Sequence, residues 1–202
     1  MPEARSRFET PLQEVTVERV SKQGLIIDIG GGGEGIVSRV EGTRVCAVDI
    51  RLDEILEARI HGSEPQWIVA DAEYLPFKDE SFAISTLWFS LCYMRSWYKK
   101  HAVLKEVWRV LQEGATVSVL ASKIDCTEDV FVINIHYTLP DGTVSQVGYG
   151  VHGNQDQNPT TVTDMMSRSG FTVVLSEEHE HWFRLEVVKL GAPKTLKKTR
   201  NA

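Results

Sequence analysis

A run of glycines beside an acidic residue is the part of the sequence best suited to chemistry. Asp28 and Ile29 follow a short apolar run, and the four glycines 30–33 come next, before Glu34 and Gly35. Glycine lets the backbone turn tightly and approach a ligand without a Cβ in the way. The start of a helix adds free N–H groups and partial positive charge. The segment therefore predicts a ligand-binding turn between a strand and a helix.

Two more carboxylates stand at the ends of later apolar runs. Asp49 follows the run 45–48, and Asp71 follows the run 67–70. The carboxylate of Asp49 can accept hydrogen bonds from both hydroxyls of a ribose. Asp71 can accept the amino hydrogens of adenine, while the backbone N–H of Ala72 donates to the ring. Because the carboxyl ends of parallel strands meet at one edge of a sheet, these residues predict a site for an adenosine-containing ligand.

The charge beside the glycines bears on which cofactor the turn binds. The spacing Gly30-x-Gly32-x-x-Gly35 also matches the dinucleotide fingerprint. However, Asp28 would repel a pyrophosphate, whereas a cofactor that carries an ammonium and a sulfonium group would be attracted to it. The pattern therefore favours S-adenosylmethionine. A nicotinamide-dependent oxidoreductase and a glycine-rich turn without a ligand remain as alternatives.

Apolar runs and helical periodicity alternate through the first part of the chain. Strands are predicted at 25–29, 45–48, 67–70, 82–89 and 116–121, and helices at 34–40, 52–60 and 102–111, the last ending near Gly114. Such alternation implies a parallel sheet with helices on both faces. The predicted fold is therefore a three-layer, doubly wound α/β structure.

The pattern changes after residue 121. Strands at 130–137 and 143–147 flank a turn at 139–142, which predicts an inserted β-hairpin after strand five. A helix at 160–169 precedes strands at 171–175 and 183–190, which only a hairpin can join. The main sheet should therefore be a mostly parallel, seven-stranded sheet with an antiparallel last strand.

One domain is expected to span residues 1–202. It divides into a leading helix at about 11–23, a cofactor-binding core at about 24–121, the hairpin insertion at about 126–152 and a flexible tail at about 192–202. The hairpin either caps the active site or pairs with a second subunit in a homodimer. The sequence leaves both open.

The composition indicates which kinds of binding partner and which cellular compartment to expect. The formal net charge is −6 at pH 7, which argues against nucleic acid because phosphate neutralisation needs clustered Lys and Arg. No apolar run reaches the ~18 residues of a membrane span. The three cysteines form no CxxC pair, so we expect neither a metal site nor a disulfide framework, and a cytoplasmic location.

Four segments in order resemble the class I, seven-strand methyltransferases, of the type that act on small molecules such as quinone precursors. They are residues 25–35, residues 45–50, residues 71–82 and residues 106–114. At the methionine end of the cofactor, the resemblance implies that Gly30 and Gly32 line the site. It also implies that Asp28 places the ammonium group and that Trp88 offers its backbone carbonyl.

At the adenosine end, the resemblance implies one role for each of four residues. Asp49 takes the ribose hydroxyls, Ile50 packs on adenine, and Asp71 and Ala72 read the adenine edge. These assignments agree with what the carboxylate positions predict by themselves.

The sequence gives less information about the residues that bind the methyl acceptor. The histidine pair that such enzymes often carry after strand four is replaced by Cys92 and Tyr93. No catalytic residue is assigned, and the weak candidates are His152, Tyr149 and Tyr93, with His152 first. The sequence thus predicts an S-adenosylmethionine-dependent methyltransferase with a small-molecule acceptor. The alternatives are a non-catalytic S-adenosylmethionine-binding regulatory protein and a methyltransferase acting on protein or RNA.

Overall fold

The computed structural model describes residues 5–190. Its strands are β1 Arg7–Thr16, β2 Ile26–Ile29, β3 Val45–Asp49, β4 Gln66–Val69, β5 Phe82–Trp88, β6 Leu111–Ser122, β7 Val130–Thr138, β8 Val144–His152, β9 Phe171–Glu178 and β10 Trp182–Lys189. Its α-helices are α1 Ile36–Glu41, α2 Leu52–Arg59, α3 Trp97–Val110 and α4 Pro159–Arg168. None of the helices in this part of the chain is long and apolar enough to cross a membrane. The predicted tail at 192–202 lies outside the described residues.

Seven strands form the main sheet, in the order β4-β3-β2-β5-β6-β10-β9. The pairs from β4 to β6 are parallel, whereas β10 runs antiparallel to both of its neighbours. The prediction of a seven-stranded sheet with an antiparallel last strand is confirmed. The short link between β9 and β10 leaves room for a hairpin but not for a parallel crossover.

Helices cover both faces of this sheet. Along β2, Ile27 belongs to the apolar cluster that contains Val103 of α3 and Met166 of α4. The next residue back, Ile26, belongs to a different cluster with Val37 of α1. Successive residues of a strand point to opposite faces, so α1 lies across the sheet from α3 and α4. The three-layer architecture follows.

The segment expected to form a leading helix is a strand instead. β1 pairs in parallel with β7, and Val15 lies opposite Tyr137. Buried side chains recur at every second residue, at Gln13, Val15 and Val17, which is the period of a strand and not of a helix. The helix at about 11–23 is therefore wrong. Its apolar residues suited either period, and the partner that decides between them lies far along the chain.

The inserted hairpin is present and is part of a second sheet, in the order β1-β7-β8. β7 and β8 pair antiparallel around the turn at 139–142. The inner face of this small sheet packs on residues just beyond β5, so that Phe131 and Ile133 share an apolar cluster with Phe89 and Cys92. The small sheet therefore lies against the segment that leaves the main sheet after β5.

Two boundaries around α3 differ from the prediction. The helix begins at Trp97, because the Ser96 hydroxyl oxygen accepts the backbone N–H of Lys99 at 3.1 Å. It ends at Val110 and the chain enters β6 directly. Gly114, expected at the helix end, instead has φ +75° in the part of β6 where the register with β5 shifts.

Candidate active site

A cavity of about 440 Å³ opens between the glycine turn, the strand ends and the small sheet. Every residue that the sequence assigned to the cofactor borders it: Asp28, Gly30, Gly32, Asp49, Ile50, Asp71, Ala72 and Trp88. Tyr93 and Tyr149 also line it. The fold thus brings residues from several separate loops to one place, at the carboxyl ends of the parallel strands.

Backbone contacts fix the glycine turn. The N–H groups of Gly30 and Gly31 donate to the carbonyl of Val48 at 2.8 and 3.1 Å, which ties the turn to β3. At Gly32 a Cβ would come within 2.5 Å of the Glu54 Cβ and 2.8 Å of Asp49 Oδ2. No larger residue fits there without displacement of α2, so the backbone itself forms this wall of the cavity.

Asp28 is a buried carboxyl group beneath that turn. Only 3% of the residue is exposed, and its Oδ1 accepts a 2.6 Å hydrogen bond from the Thr86 hydroxyl. Burial raises the pKa of Asp28 to about 7, against the opposing effect of the Thr86 bond, and the nearby charge of Asp49 raises it further. A bound cation would stabilise the ionised form of this group.

Asp49 is held rigidly at the end of β3. Its Oδ1 accepts the backbone N–H of Arg51 at 2.9 Å, and its Oδ2 accepts that of Gly32 at 3.2 Å. Each carboxylate oxygen keeps a further lone pair for a ligand hydroxyl. At the next strand end, Oδ1 of Asp71 accepts the backbone N–H of Glu73 at 3.0 Å. Both side chains are therefore oriented before any ligand binds.

Carboxylates outnumber cations around the cavity. Among the described residues that line it, the cationic side chains are Arg51 and Lys99, each paired with a carboxylate, at 3.1 Å from Glu54 and 3.1 Å from Glu73. The acidic side chains are Asp28, Glu34, Asp49, Glu54, Glu57, Asp71 and Glu73. The site therefore attracts cations and repels a pyrophosphate.

Aromatic residues form the end of the cavity under the small sheet. The hydroxyl oxygens of Tyr137 and Tyr149 lie 3.0 Å apart, and the ring of Phe89 stacks on that of Tyr149 with centroids 5.4 Å apart. Burial raises the pKa of both tyrosines well above the ordinary value, so both stay protonated at neutral pH. Burial also raises the pKa of Tyr93, which stands on a short 3-10 helix.

His152, the first of the catalytic candidates, does not reach the cavity. It is exposed at the end of β8, where the alternation of the strand turns Val151 inward and His152 outward. It therefore has no contact with the site. Cys92 is buried beside the cavity, where its thiol donates to the carbonyl of Phe89 at 2.9 Å and burial raises its pKa to about 12.

Two residues that sequence reasoning missed also border the cavity. Ser90 lies directly behind Gly30, where a Cβ added to that glycine would come within 2.7 Å of the Ser90 Cβ. Its buried hydroxyl has no hydrogen-bond partner among the described residues. Nothing in the local sequence marks Ser90. Tyr137 had a signal, since it continues the every-second-residue series of Ile133 and Ile135 on the buried face of β7.

Comparison with known proteins places this geometry in a family. Residues 27–119 match the family model described as a methyltransferase domain. Residues 27–119 form a class I methyltransferase domain. S-adenosylmethionine is the cofactor of this class. No curated protein matches the chain. Neither the family model nor the solved structures support the finer resemblance to enzymes that act on quinone precursors.

Solved structures share the methyltransferase fold at low sequence identity. A methyltransferase from Methanosarcina mazei is 19% identical, covers 85% of this chain and 94% of its own, and superposes with a TM-score of 0.63. A protein from Pyrococcus horikoshii is 20% identical, with 83% of each chain covered and a TM-score of 0.60. The protein DhpI, solved as a complex with SAH, is 17% identical, with 81% and 76% covered and a TM-score of 0.58.

The residues of this methyltransferase suit an S-adenosyl cofactor. A Cβ at Gly32 would clash with Glu54 and Asp49, so glycine lets the turn pack on these residues and form the cavity wall with its backbone. The unpartnered hydroxyl of Ser90 offers a donor to a carboxylate. Asp28 and the surrounding excess of acid suit an ammonium and a sulfonium group.

Proposed function

We propose that this methyltransferase transfers the methyl group of S-adenosylmethionine to a small-molecule acceptor. The observation that carries the proposal is the single cavity in which the glycine turn and Asp49 face the tyrosines of the small sheet. That sheet covers the acceptor end, which leaves space for a small molecule more readily than for a folded macromolecule. The two lining cations are already paired with carboxylates, which disfavours RNA.

The proposed cofactor contacts follow from the geometry. When bound, S-adenosylmethionine supplies a methyl group already activated by its sulfonium. Asp28 holds the ammonium, Ser90 donates to the carboxylate, and Gly30 and Gly32 border the methionine part, as does the backbone carbonyl of Trp88. These contacts fix one end of the cofactor against β2 and β5.

The adenosine contacts use the next two strand ends. Asp49 accepts from the ribose hydroxyls, Ile50 covers one face of adenine, and Asp71 with the N–H of Ala72 binds its edge. The main contribution of the protein to the reaction is then orientation of the acceptor in line with the methyl group, which can supply ~7–11 kcal/mol.

We further propose that the enzyme works in the cytoplasm and that the hairpin serves as the cavity wall. The cysteines 46, 92 and 126 are all free, as a reducing compartment would leave them. The apolar inner face of the hairpin is covered by the residues after β5 within the same chain. A homodimer that uses the free edge of β8 remains the alternative, and sedimentation of the purified protein distinguishes the two.

Methyl transfer from labelled S-adenosylmethionine tests the proposed acceptor class. Purified enzyme is incubated with the small-molecule fraction and, separately, with the protein and RNA fractions of a cell extract. Label that enters only the small molecules supports the proposal, and Asp49→Ala, which loses the ribose contact, should abolish the transfer. Label in protein or RNA supports a macromolecular acceptor. Tight cofactor binding with no transfer to any fraction supports a regulatory protein.

A further inference from the structure

The acceptor end of the cavity has a chemical character of its own. We define it as the part lined by Trp88, Phe89, Tyr93, Tyr137 and Tyr149, where the small sheet meets the segment after β5. Its walls are aromatic rings, and all of them except Phe89 carry a polar group at the edge. Faces of such rings attract cations through their quadrupole, most strongly where water is excluded.

None of the described residues that line this end carries a positive charge. The described cations that line the cavity, Arg51 and Lys99, belong to the loop after β3 and to α3, and both are paired with carboxylates. An acceptor with a carboxylate or phosphate group would therefore enter an acid-rich, aromatic cavity without an ionic partner. Such an acceptor would lose its hydration without compensation.

The described residues that line this end also offer no general base. Tyr137 and Tyr149 share a hydrogen bond of 3.0 Å between their hydroxyl oxygens, and burial raises the pKa of both, so neither is ionised at neutral pH. Glu34 lines the cavity, accepts the hydroxyl of Ser145 and lies 3.5 Å from the guanidinium of Arg39. The charge of Glu34 is therefore already paired with that of Arg39.

The buried carboxyl group of Asp28 lies at the opposite end. A Cβ at Gly31 would come within 2.6 Å of Asp28 Oδ2, which places this group under the glycine turn and not under the small sheet. A phenol or a carbon acid becomes a strong nucleophile only as an anion, which an acid-rich cavity disfavours, whereas an ammonium ion that loses a proton becomes a neutral amine.

We propose that the acceptor is an amine carried on an apolar or aromatic scaffold. This inference rests on the proposed methyltransferase function and names its substrate class. The amine binds as its ammonium ion and loses one proton to water, and its lone pair then forms the N–C bond as the C–S bond breaks, with the electron pair of that bond staying on sulfur. The positive charge moves from sulfur to nitrogen inside the same acid-rich cavity. Water takes up the proton lost before transfer and, after release, one N–H proton of the product.

Binding of three matched probes tests the acceptor class without turnover. The probes are 2-phenylethylamine, 2-phenylethanol and phenylacetate, which share a ring and differ in the charge of the head group. Calorimetry is carried out on the full chain saturated with S-adenosylhomocysteine, which has no methyl group to transfer. The amine should bind at least about fivefold more tightly than the alcohol, in line with the strength of a cation–aromatic contact. Phenylacetate should bind weakest.

Three variants relate the preference to the acceptor end. Tyr149→Leu removes the ring and should reduce the preference for the amine over the alcohol, whereas Tyr149→Phe keeps the ring and should keep most of it. Tyr98→Leu is the matched control, because Tyr98 is 81% exposed and does not line the cavity. It should leave all three affinities unchanged.

The outcomes distinguish a failure of this inference from a failure of the proposed methyltransferase function. Failure of S-adenosylhomocysteine to bind would contradict the proposed function itself. If S-adenosylhomocysteine binds but phenylacetate or the alcohol binds as tightly as the amine, or if no probe binds, the amine proposal is overturned. A preference for the amine that survives in Tyr149→Leu would also overturn it, since the preference would then arise elsewhere.

Discussion

The hydroxyl of Thr86 donates a 2.6 Å hydrogen bond to Oδ1 of Asp28, and both residues are buried. Thr86 lies on β5 and Asp28 on the paired strand β2, where the two residues face each other in register. This bond fixes the orientation of the carboxyl group without neutralising it. Burial raises its pKa to about 7 despite the bond, so a cation brought to its other oxygen would decide its charge state.

Asp28→Asn should weaken S-adenosylmethionine binding about tenfold or more, because a charge-assisted contact to the ammonium is lost. Asparagine can still accept the Thr86 hydroxyl, so the local structure should survive. In wild type, affinity should rise between pH 6 and pH 7.5 as Asp28 ionises, and this part of the pH dependence should be absent in the variant. Calorimetry at the two pH values measures both effects. Equal affinities and equal pH dependence would show that Asp28 does not contact the cofactor.

The same group should make the free protein less stable as pH rises. Burial raises the pKa of Asp28 to about 7 in the folded state, above the 3.8 of an aspartate exposed to water, so the folded state binds more protons between these two pH values. Its stabilising contribution is therefore full below about pH 4 and is lost as pH rises to about 7. Relative to wild type, Asp28→Asn should gain stability over this window, by on the order of a few kcal/mol. Urea unfolding at pH 5 and pH 7.5 provides the comparison, and a constant difference between the two proteins would contradict it.

Gly32→Ala should disrupt the cavity. The added Cβ would lie 2.5 Å from the Glu54 Cβ and 2.8 Å from Asp49 Oδ2, so either the turn or α2 must shift. We expect loss of cofactor binding and a melting temperature several degrees lower. Gly150→Ala is the matched control, since the nearest atom to its Cβ is a Val132 methyl at 3.9 Å. If Gly32→Ala bound the cofactor as well as Gly150→Ala, the close packing of the turn on Glu54 and Asp49 would not be needed for binding.

Ser90→Ala should have opposite effects on binding and on stability. The buried hydroxyl has no partner among the described residues, so its removal should leave the free protein equally stable or more stable. Cofactor affinity should nevertheless fall roughly tenfold, because a hydrogen bond to the carboxylate is lost. Thermal unfolding and calorimetry measure the two quantities separately. A variant that is destabilised yet binds normally would assign Ser90 a purely structural role.

The residues that border the cavity beside the glycine turn could be predicted because their signals are local. The glycine turn around Gly30 and Gly32, and the carboxylates Asp49 and Asp71 at strand ends, each lie within a few residues of the strand that positions them. Parallel strands bring such ends together wherever the helices between them allow it. Short stretches of sequence were therefore enough to indicate that these residues border one cavity.

The acceptor side depends on contacts between distant parts of the chain. β1 could not be recognised as a strand because its partner β7 begins more than a hundred residues later. The inward position of Tyr137 and the outward position of His152 depend on the same small sheet, in which a shift of one residue reverses every side chain. Ser90 matters only through its position behind Gly30. Of these residues only Tyr137 has a local signal, the every-second-residue series that it shares with Ile133 and Ile135.

Calorimetric titration with S-adenosylmethionine and with NAD tests the central claim most directly. The wild-type protein is compared with Asp49→Ala and with the control Asp164→Asn, whose carboxylate pairs with Arg168 on α4, outside the cavity. The structure predicts micromolar binding of S-adenosylmethionine, strong weakening in Asp49→Ala, no change in Asp164→Asn and weaker or absent binding of NAD. No binding of S-adenosylmethionine, or a preference for NAD, would contradict the account.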